Sequence, residues 1–243
     1  MKTIKKLTLL TALLFTATNL AAQIEGASEK RSGSFYSLFG VGFPTDNNNP
    51  REYGLGISGV SLDNMDSNSL QNPAMWGKNA YTTASSGFNF SKYNTSNSTS
   101  TNVNTLLEAG YFQFTFPIIR QKLGMSASMY SVTRSNYRFV TSDSSSISTD
   151  NTLGYASDIR GAGGISKLEI GFGWNINKYL SVGYAPALAF VSENNSQDVF
   201  FSNTSYTTSN LDSKITGAAL SHRFGALFTF QKLFSDKDRL SFG

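Results

Sequence analysis

Apolar and polar residues alternate along several segments of this chain. Residues 168–176 show the pattern best. Large apolar residues occupy one parity, and small or polar residues occupy the other: Leu168, Ile170, Phe172, Trp174 and Ile176 on the first, and Glu169, Gly171, Gly173 and Asn175 on the second. Because the side chains of a strand point alternately to its two faces, this segment is predicted to be a strand with one apolar face.

The same alternation predicts six strands and the beginning of a seventh. The six lie near residues 81–93, 106–116, 123–139, 163–176, from 180 onward and 216–231, and the seventh begins at Leu240. Ser/Thr/Asn-rich stretches at 94–105, 141–152 and 192–214 predict long solvated loops, whereas the other links are short. Long links that alternate with short ones are typical of outer-membrane barrels. The half-built seventh strand predicts that the chain is a fragment lacking most of the second half of a barrel; a small eight-stranded barrel is the alternative.

The first 22 residues have the features of a signal peptide. Lys2, Lys5 and Lys6 precede an apolar run at 7–17, and small residues follow up to Ala22. This run is too short to span a bilayer as a helix. The pattern predicts export, with cleavage after Ala22.

Composition narrows the possible classes of protein. The chain has no cysteine, which excludes a disulfide scaffold and a lipoprotein anchor. Three of its 20 basic residues lie in the signal segment, which leaves 17 basic against 16 acidic residues and no basic stripe for nucleic acid. No long apolar run follows residue 22, so a membrane protein made from this chain is predicted to be a closed β-barrel. We therefore predict an all-β, transmembrane antiparallel barrel.

The chain divides into three predicted parts. Residues 1–22 are the signal peptide, residues 23–80 are an N-terminal segment with Gly-rich turns and little alternation, and residues 81–243 form the barrel wall. The Gly and Pro residues of the middle part predict turns rather than wall strands.

Three elements follow one another in the N-terminal segment: residues 34–42 (SFYSLFGVG), 51–60 (REYGLGISGV) and 69–74 (SLQNPA). Together they resemble the FadL/TodX-type outer-membrane transport family of Bacteroidetes-like bacteria. The resemblance implies a fourteen-stranded barrel whose N-terminal segment folds inside as a hatch. It places the hatch at six positions: Gly54, Gly56, Gly59, Asn72, Pro73 and Ala74.

The resemblance also implies a function. The expected activity is uptake of hydrophobic small molecules, such as long-chain fatty acids or aromatic hydrocarbons, across the bacterial outer membrane. Its expected partners are membrane lipid and the hydrophobic ligand, with no cofactor and no nucleic acid. Two alternatives stay open: a shuttle or docking barrel in a protein-secretion apparatus, and a surface adhesin that uses residues 192–214.

The candidate chemistry is sparse. The one histidine, His222, shares the parity of Phe224, and the neighbouring Ser221 points to the opposite face, so no nucleophile–base pair is predicted. One histidine without cysteine offers no metal-ligand spacing, and we expect no metal, no cofactor and no enzymatic activity. Pro186 lies inside a predicted strand, where it cannot donate to the ladder, and is a candidate for a kink in the wall.

Overall fold

The chain forms a half-barrel built from one antiparallel sheet. The computed structural model describes residues 40–56, 59–62, 69–96, 101–148, 151–203, 205–232 and 238–243. Seven strands follow one another as a meander, each paired with the next: β2 Thr83–Ser96, β3 Thr101–Ile119, β4 Leu123–Ser148, β5 Asn151–Asn175, β6 Leu180–Phe201, β7 Ser209–Gln231 and β8 Arg239–Phe242. The predicted all-β antiparallel fold is confirmed.

Three short elements precede the meander. They are β1 Phe43–Pro44, helix α1 Pro50–Leu55 and a 3₁₀ helix Pro73–Lys78. The 3₁₀ helix lies against one face of the sheet, which we call the inner face, and contacts β3 to β7. None of the helices in the described ranges is long and apolar enough to cross a membrane.

The sheet exposes apolar side chains on one face and buries polar side chains on the other, which is the reverse of a soluble sandwich. The outer face carries large apolar side chains that are exposed, such as Phe172 (45%) on β5 and Phe224 (77%) on β7. The inner face buries polar side chains, such as Gln113, Glu169 and Thr229. Exposed apolar and buried polar residues on the same strands suit a wall with lipid outside. The alternation predicted for residues 168–176 is confirmed.

The strands are much longer than predicted. β4 and β5 run for 26 and 25 residues, respectively, and they take up the polar stretch at 141–152 apart from the link between them. β6 and β7 likewise take up most of 192–214. The prediction of long loops over these stretches is wrong, because polar residues on both faces of a paired strand keep their backbone hydrogen bonds while facing water. We call the opposite end of the sheet, which has the tight links at 120–122 and 176–179, the turn end.

The sheet is split between β3 and β4. Their pairing starts at Ile119↔Leu123 at the turn end and stops at Tyr111↔Tyr130. Beyond that point the described residues of β3 pair only with β2. The register of β4 against β5 shifts between Ser131 and Thr133 at the same level, which marks a β-bulge. The end of the β3–β4 pairing and the bulge therefore lie at the same level of β4.

Candidate functional site on the inner face

The 3₁₀ helix is built by the Asn-Pro-Ala sequence that opens it. The side-chain Oδ1 of Asn72 accepts a hydrogen bond from the Ala74 N–H at 3.0 Å, and so caps the helix. Pro73 occupies the first helical position, where its fixed φ favours the helix and its missing N–H is not needed. All six residues of the helix are buried. A short local signal therefore specifies the element that fills the inner face.

Polar side chains connect this helix to the wall and to the segment before it. The amide Nδ2 of Asn72 donates to the carbonyl oxygens of Val60 and of Ala226 on β7, both at 2.9 Å. The Lys78 ammonium donates to the Thr229 hydroxyl on β7 at 2.8 Å. One asparagine thus caps the helix and anchors it to the sheet.

Glycines of the wall let the helix approach the sheet at backbone distance. A Cβ on Gly173 would lie 2.5 Å from both the Gly77 nitrogen and the Pro73 carbonyl oxygen. A Cβ on Gly183 would lie against the backbone of Pro73 and Ala74. Since backbone atoms cannot swing aside, any larger residue at these positions would exclude the helix. A Cβ on Gly124 would likewise meet the Trp76 backbone, and a Cβ on Gly225 would meet the Asn72 side chain and the Pro73 ring. We call these four wall glycines the glycine cradle: Gly124 on β4, Gly173 on β5, Gly183 on β6 and Gly225 on β7.

A buried ion pair lies next to the helix. Glu169 on β5 is 1% exposed and accepts a hydrogen bond from Arg223 on β7. The Tyr130 hydroxyl also donates to Glu169, at 3.3 Å. The Arg223 guanidinium lies 5.9 Å from the centre of the Trp76 ring, which is fully buried. Arg223 therefore links a wall carboxylate to the aromatic side chain of the helix.

Substitution of Asn72 tests the anchor. We expect Asn72→Ala to lower the protection free energy of the helix by about 3 kcal/mol, because it removes an N-cap worth about 1 kcal/mol and two further hydrogen bonds worth about 1 kcal/mol each. Hydrogen exchange of the amides at 74–79 measures this. Asn79 is the matched control, since it is equally buried but neither side-chain atom has a hydrogen-bond partner among the described residues. If Asn79→Ala loses as much protection as Asn72→Ala, the anchor role is wrong.

The other predicted hatch residues lie around α1. Gly56 ends this helix with φ +66°, and Gly54 lies within it; both are exposed. Gly59 (φ +72°) packs against the Glu52 side chain, which accepts a hydrogen bond from the Asn49 N–H at 2.8 Å. Burial raises the pKa of Glu52. The structure thus places Gly59 and Asn72 to Ala74 in buried contacts and leaves the first two glycines at the surface.

Pro186 lies on β6 opposite His222 on β7. The β5–β6 ladder is paired at Glu169↔Ala187 and again at Phe172↔Tyr184, and within the described strands no pair is formed between these two. The register is the same on both sides of the gap, so the missing N–H of proline interrupts the ladder without shifting it. Whether the wall kinks there in function stays a prediction.

His222 and Ser221 have separate partners. The Nδ1 atom of His222 lies 2.8 Å from the Tyr184 hydroxyl on the outer face. The Ser221 hydroxyl accepts a hydrogen bond from Lys167 at 3.0 Å. In the described part of the chain no group of three or more acidic or histidine residues could hold a metal ion. These contacts are structural, and they offer no nucleophile–base pair.

Sequence reasoning missed the glycine cradle and the role of Arg223. Gly171 and Gly173 were noted only as the small face of a strand. The available signal was the recurrence of glycine at inner-face positions of four neighbouring strands, which a wall with an empty interior does not need. The partner of Arg223 lies 54 residues away in sequence, so no local pattern pointed to it.

The match to a family model covers residues 3–242 of the chain. The chain belongs to the BamG family. No curated protein and no solved structure matches it. This family is associated with the BAM outer-membrane protein assembly machinery. The predicted location in the bacterial outer membrane is confirmed.

The family match corrects the resemblance to FadL/TodX transporters, which is wrong. Uptake of fatty acids or aromatic hydrocarbons is wrong with it, and so are the secretion-shuttle and adhesin alternatives. The expected partners are also corrected, from lipid and a hydrophobic ligand to proteins of the BAM complex. The error has a physical reason. The Asn-Pro-Ala element caps a helix and packs it against glycines, and this structural role carries no information about cargo.

Proposed function

We propose that this BamG-family protein is a membrane-embedded component of the BAM machinery that assembles outer-membrane proteins. The observation that carries the proposal is the family match, which extends over residues 3–242 and so includes both the inner segment and the wall. In this role the protein binds other proteins and carries no small molecule across the membrane. The proposed role needs no enzymatic step.

The occupied inner face supports a binding role. Residues 72–79 are all buried, and the 3₁₀ helix contacts five consecutive strands. The core of this contact is Ala74 and Met75 against Leu227. A helix held close to the wall glycines covers the inner face of five strands at its own level, which suits a scaffold better than a conduit.

We also propose that the half-barrel is part of a closed transmembrane barrel in which the segment around the 3₁₀ helix Pro73–Lys78 is the plug. A sheet in lipid must pair its edges, and the described edges of the meander are β2 and the strands β7 and β8. Scanning cysteine labelling with a lipid-soluble reagent tests the first step. Cysteines at Phe172 and Trp174 on the outer face of β5 should react, whereas cysteines at the buried Ser126 and Ser128 on the inner face of β4, where the replaced side chain has a similar size, should not.

Depletion of the protein in its native host tests the function. We expect newly made outer-membrane barrels to accumulate in unfolded, protease-sensitive form, because a member of the assembly machinery is missing. Pulse-chase labelling with heat-modifiable gel mobility measures the folded fraction. Affinity purification of the tagged, detergent-extracted protein should recover the central BAM barrel in stoichiometric amounts.

Uptake of labelled oleate serves as the control in the depleted cells. Normal assembly of other barrels after depletion, together with purification of the protein free of BAM subunits, would contradict the proposal. Reduced oleate uptake at an early time point, before any barrel shows an assembly defect, would also count against it. A Gly217→Ala variant should complement the depletion fully, because a Cβ there meets only the end of the Val191 side chain.

A further inference from the structure

The two tight links of the turn end form one continuous rim. We call residues 120–122 and 176–179 the turn rim. Asn175 directly precedes the second link, and its N–H donates to the Lys122 carbonyl oxygen of the first link at 2.7 Å. The Tyr179 carbonyl oxygen of the second link in turn accepts a hydrogen bond from β7 at 2.8 Å. Because the links are joined through their backbones, their side chains present one surface.

The turn rim carries three cations and no acidic residue. Arg120, Lys122 and Lys178 are exposed, and the other residues of the rim are uncharged. In the described ranges, none of these three side chains forms an ion pair; the ion pairs lie between strands β4 to β7. The Lys178 ammonium lies 4.8 Å from the centre of the Tyr179 ring, which does not neutralise its charge. Clustered charges of one sign create a potential that attracts a surface of the opposite sign.

Tyrosines and the end of the 3₁₀ helix adjoin these cations. Tyr179 is half exposed, and Tyr81, two residues beyond the C-cap Asn79, is 64% exposed. The Gln121 N–H donates to the Asn79 carbonyl oxygen at 3.3 Å, so the rim contacts the segment that covers the inner face. Tyrosine and arginine are enriched at protein interfaces. The composition of the turn rim and its border therefore suits a protein partner.

We infer that the turn rim docks an acidic surface of a periplasmic part of the BAM machinery, with Arg120, Lys122 and Lys178 facing its Asp and Glu side chains. In the proposed barrel the rim faces the periplasm, because outer-membrane barrels have their short turns on that side. The inference rests on the proposed function, which supplies the partner, and adds the surface and the chemistry of contact. The association of the family with an assembly machinery favours a protein over the anionic headgroups of the inner leaflet.

Removing charge from the turn rim tests the inference. The probe is the BAM complex purified from cells depleted of this protein, and its binding to the full chain in phosphatidylcholine nanodiscs is followed by biolayer interferometry. We expect Lys122→Gln with Lys178→Gln to weaken binding about tenfold, because two charge pairs across the interface are lost. The matched control is Lys92→Gln with Lys214→Gln, which removes the same charge from two exposed lysines on β2 and β7, away from the turn end. The control variant should bind as tightly as the unsubstituted chain.

A second measurement uses the unsubstituted chain, so that a folding defect in a variant does not decide the result. A carbodiimide joins a lysine amine to a carboxyl group that contacts it, as an amide. Mass spectrometry of the treated complex should find Lys122 or Lys178 joined to an Asp or Glu residue of a BAM subunit, whereas Lys92 and Lys214 should remain unjoined. Binding should also weaken as NaCl rises from about 50 to about 200 mM, because salt screens exposed charges.

Equal binding by the two double variants, or absence of the rim lysines from the crosslinks, would overturn the inference. A loss of affinity seen only in nanodiscs that contain phosphatidylglycerol would assign the turn rim to anionic lipid and would overturn it as well. If depletion impairs barrel assembly and the chain binds the BAM complex, yet the rim variant binds normally, only this inference fails. If the chain does not bind the complex and depletion has no effect, the proposed function itself fails.

Discussion

Gly183→Ala is expected to expel the 3₁₀ helix from the inner face. The new Cβ would lie against the backbone of Pro73 and Ala74, at 2.6 Å from the Pro73 carbonyl oxygen. Strand β6 cannot move away from the helix without breaking its ladder of hydrogen bonds. We expect a cost of about 3 kcal/mol, the upper end for overpacking, since backbone rather than a flexible side chain is in the way. The helix then leaves its site and exposes Met75 and Trp76.

Fluorescence reads this displacement directly. The chain has two tryptophans, Trp76 fully buried and Trp174 half exposed on the outer face. In a Trp174→Phe background, Trp76 emission should shift to longer wavelength in Gly183→Ala and stay unchanged in the control Gly217→Ala. We expect the same variant to fail to complement depletion. A blue-shifted Trp76 spectrum identical to that of the parent would show that the helix tolerates the added carbon. The glycine cradle would then not be needed to seat the helix.

Breaking the Glu169–Arg223 pair is expected to have the second large effect. Arg223→Met leaves the Glu169 carboxylate buried at 1% exposure without its cation, and removing one partner of a buried pair costs about 3–5 kcal/mol. Reversible urea unfolding in detergent or liposomes measures the free energy of unfolding. The double variant Glu169→Gln with Arg223→Met should recover most of the loss, because no uncompensated charge is left.

A surface pair provides the comparison. Arg138 and Asp158 on β4 and β5 form a two-fold hydrogen-bonded pair at 3.0 and 2.8 Å, but the Arg138 side chain is 46% exposed. Water screens such a pair, so Arg138→Met should lower the free energy of unfolding far less than Arg223→Met does. If the two arginine variants destabilise the chain equally, burial of Glu169 does not set the strength of its ion pair.

The sequence predicted the wall well because the residues that face one side of a strand recur at every second position. Phe172 and Gly173 are adjacent in sequence, and their opposite burial follows from that period alone. Strand length was missed because Ser, Thr and Asn are common in loops, and they also fit a paired strand with water on both faces. The pairing of β1 with β4 could not be foreseen, since Phe43 and Arg134 are 91 positions apart and neither shows a periodic pattern.

The inner site was predicted only in part. Asn72 and Pro73 carry a local helix-start signal, and their place in a buried turn follows from it. Their docking surface is spread over glycines on four strands, and a glycine in a strand has several explanations besides close approach. The resemblance to transporters failed for a related reason. Short turn-forming motifs report how a segment bends, and any plug in any barrel must bend.

The length of the strands has a consequence for the cell surface. A bilayer is crossed by about 9–11 residues of a tilted strand, whereas β5 has 25. In the proposed transmembrane barrel, the remaining residues of β5 extend beyond the lipid as paired strand. Antibodies raised against linear peptides from residues 141–152 should therefore bind native cells poorly. Conformational binders selected on the intact protein should be better reagents for detecting the protein.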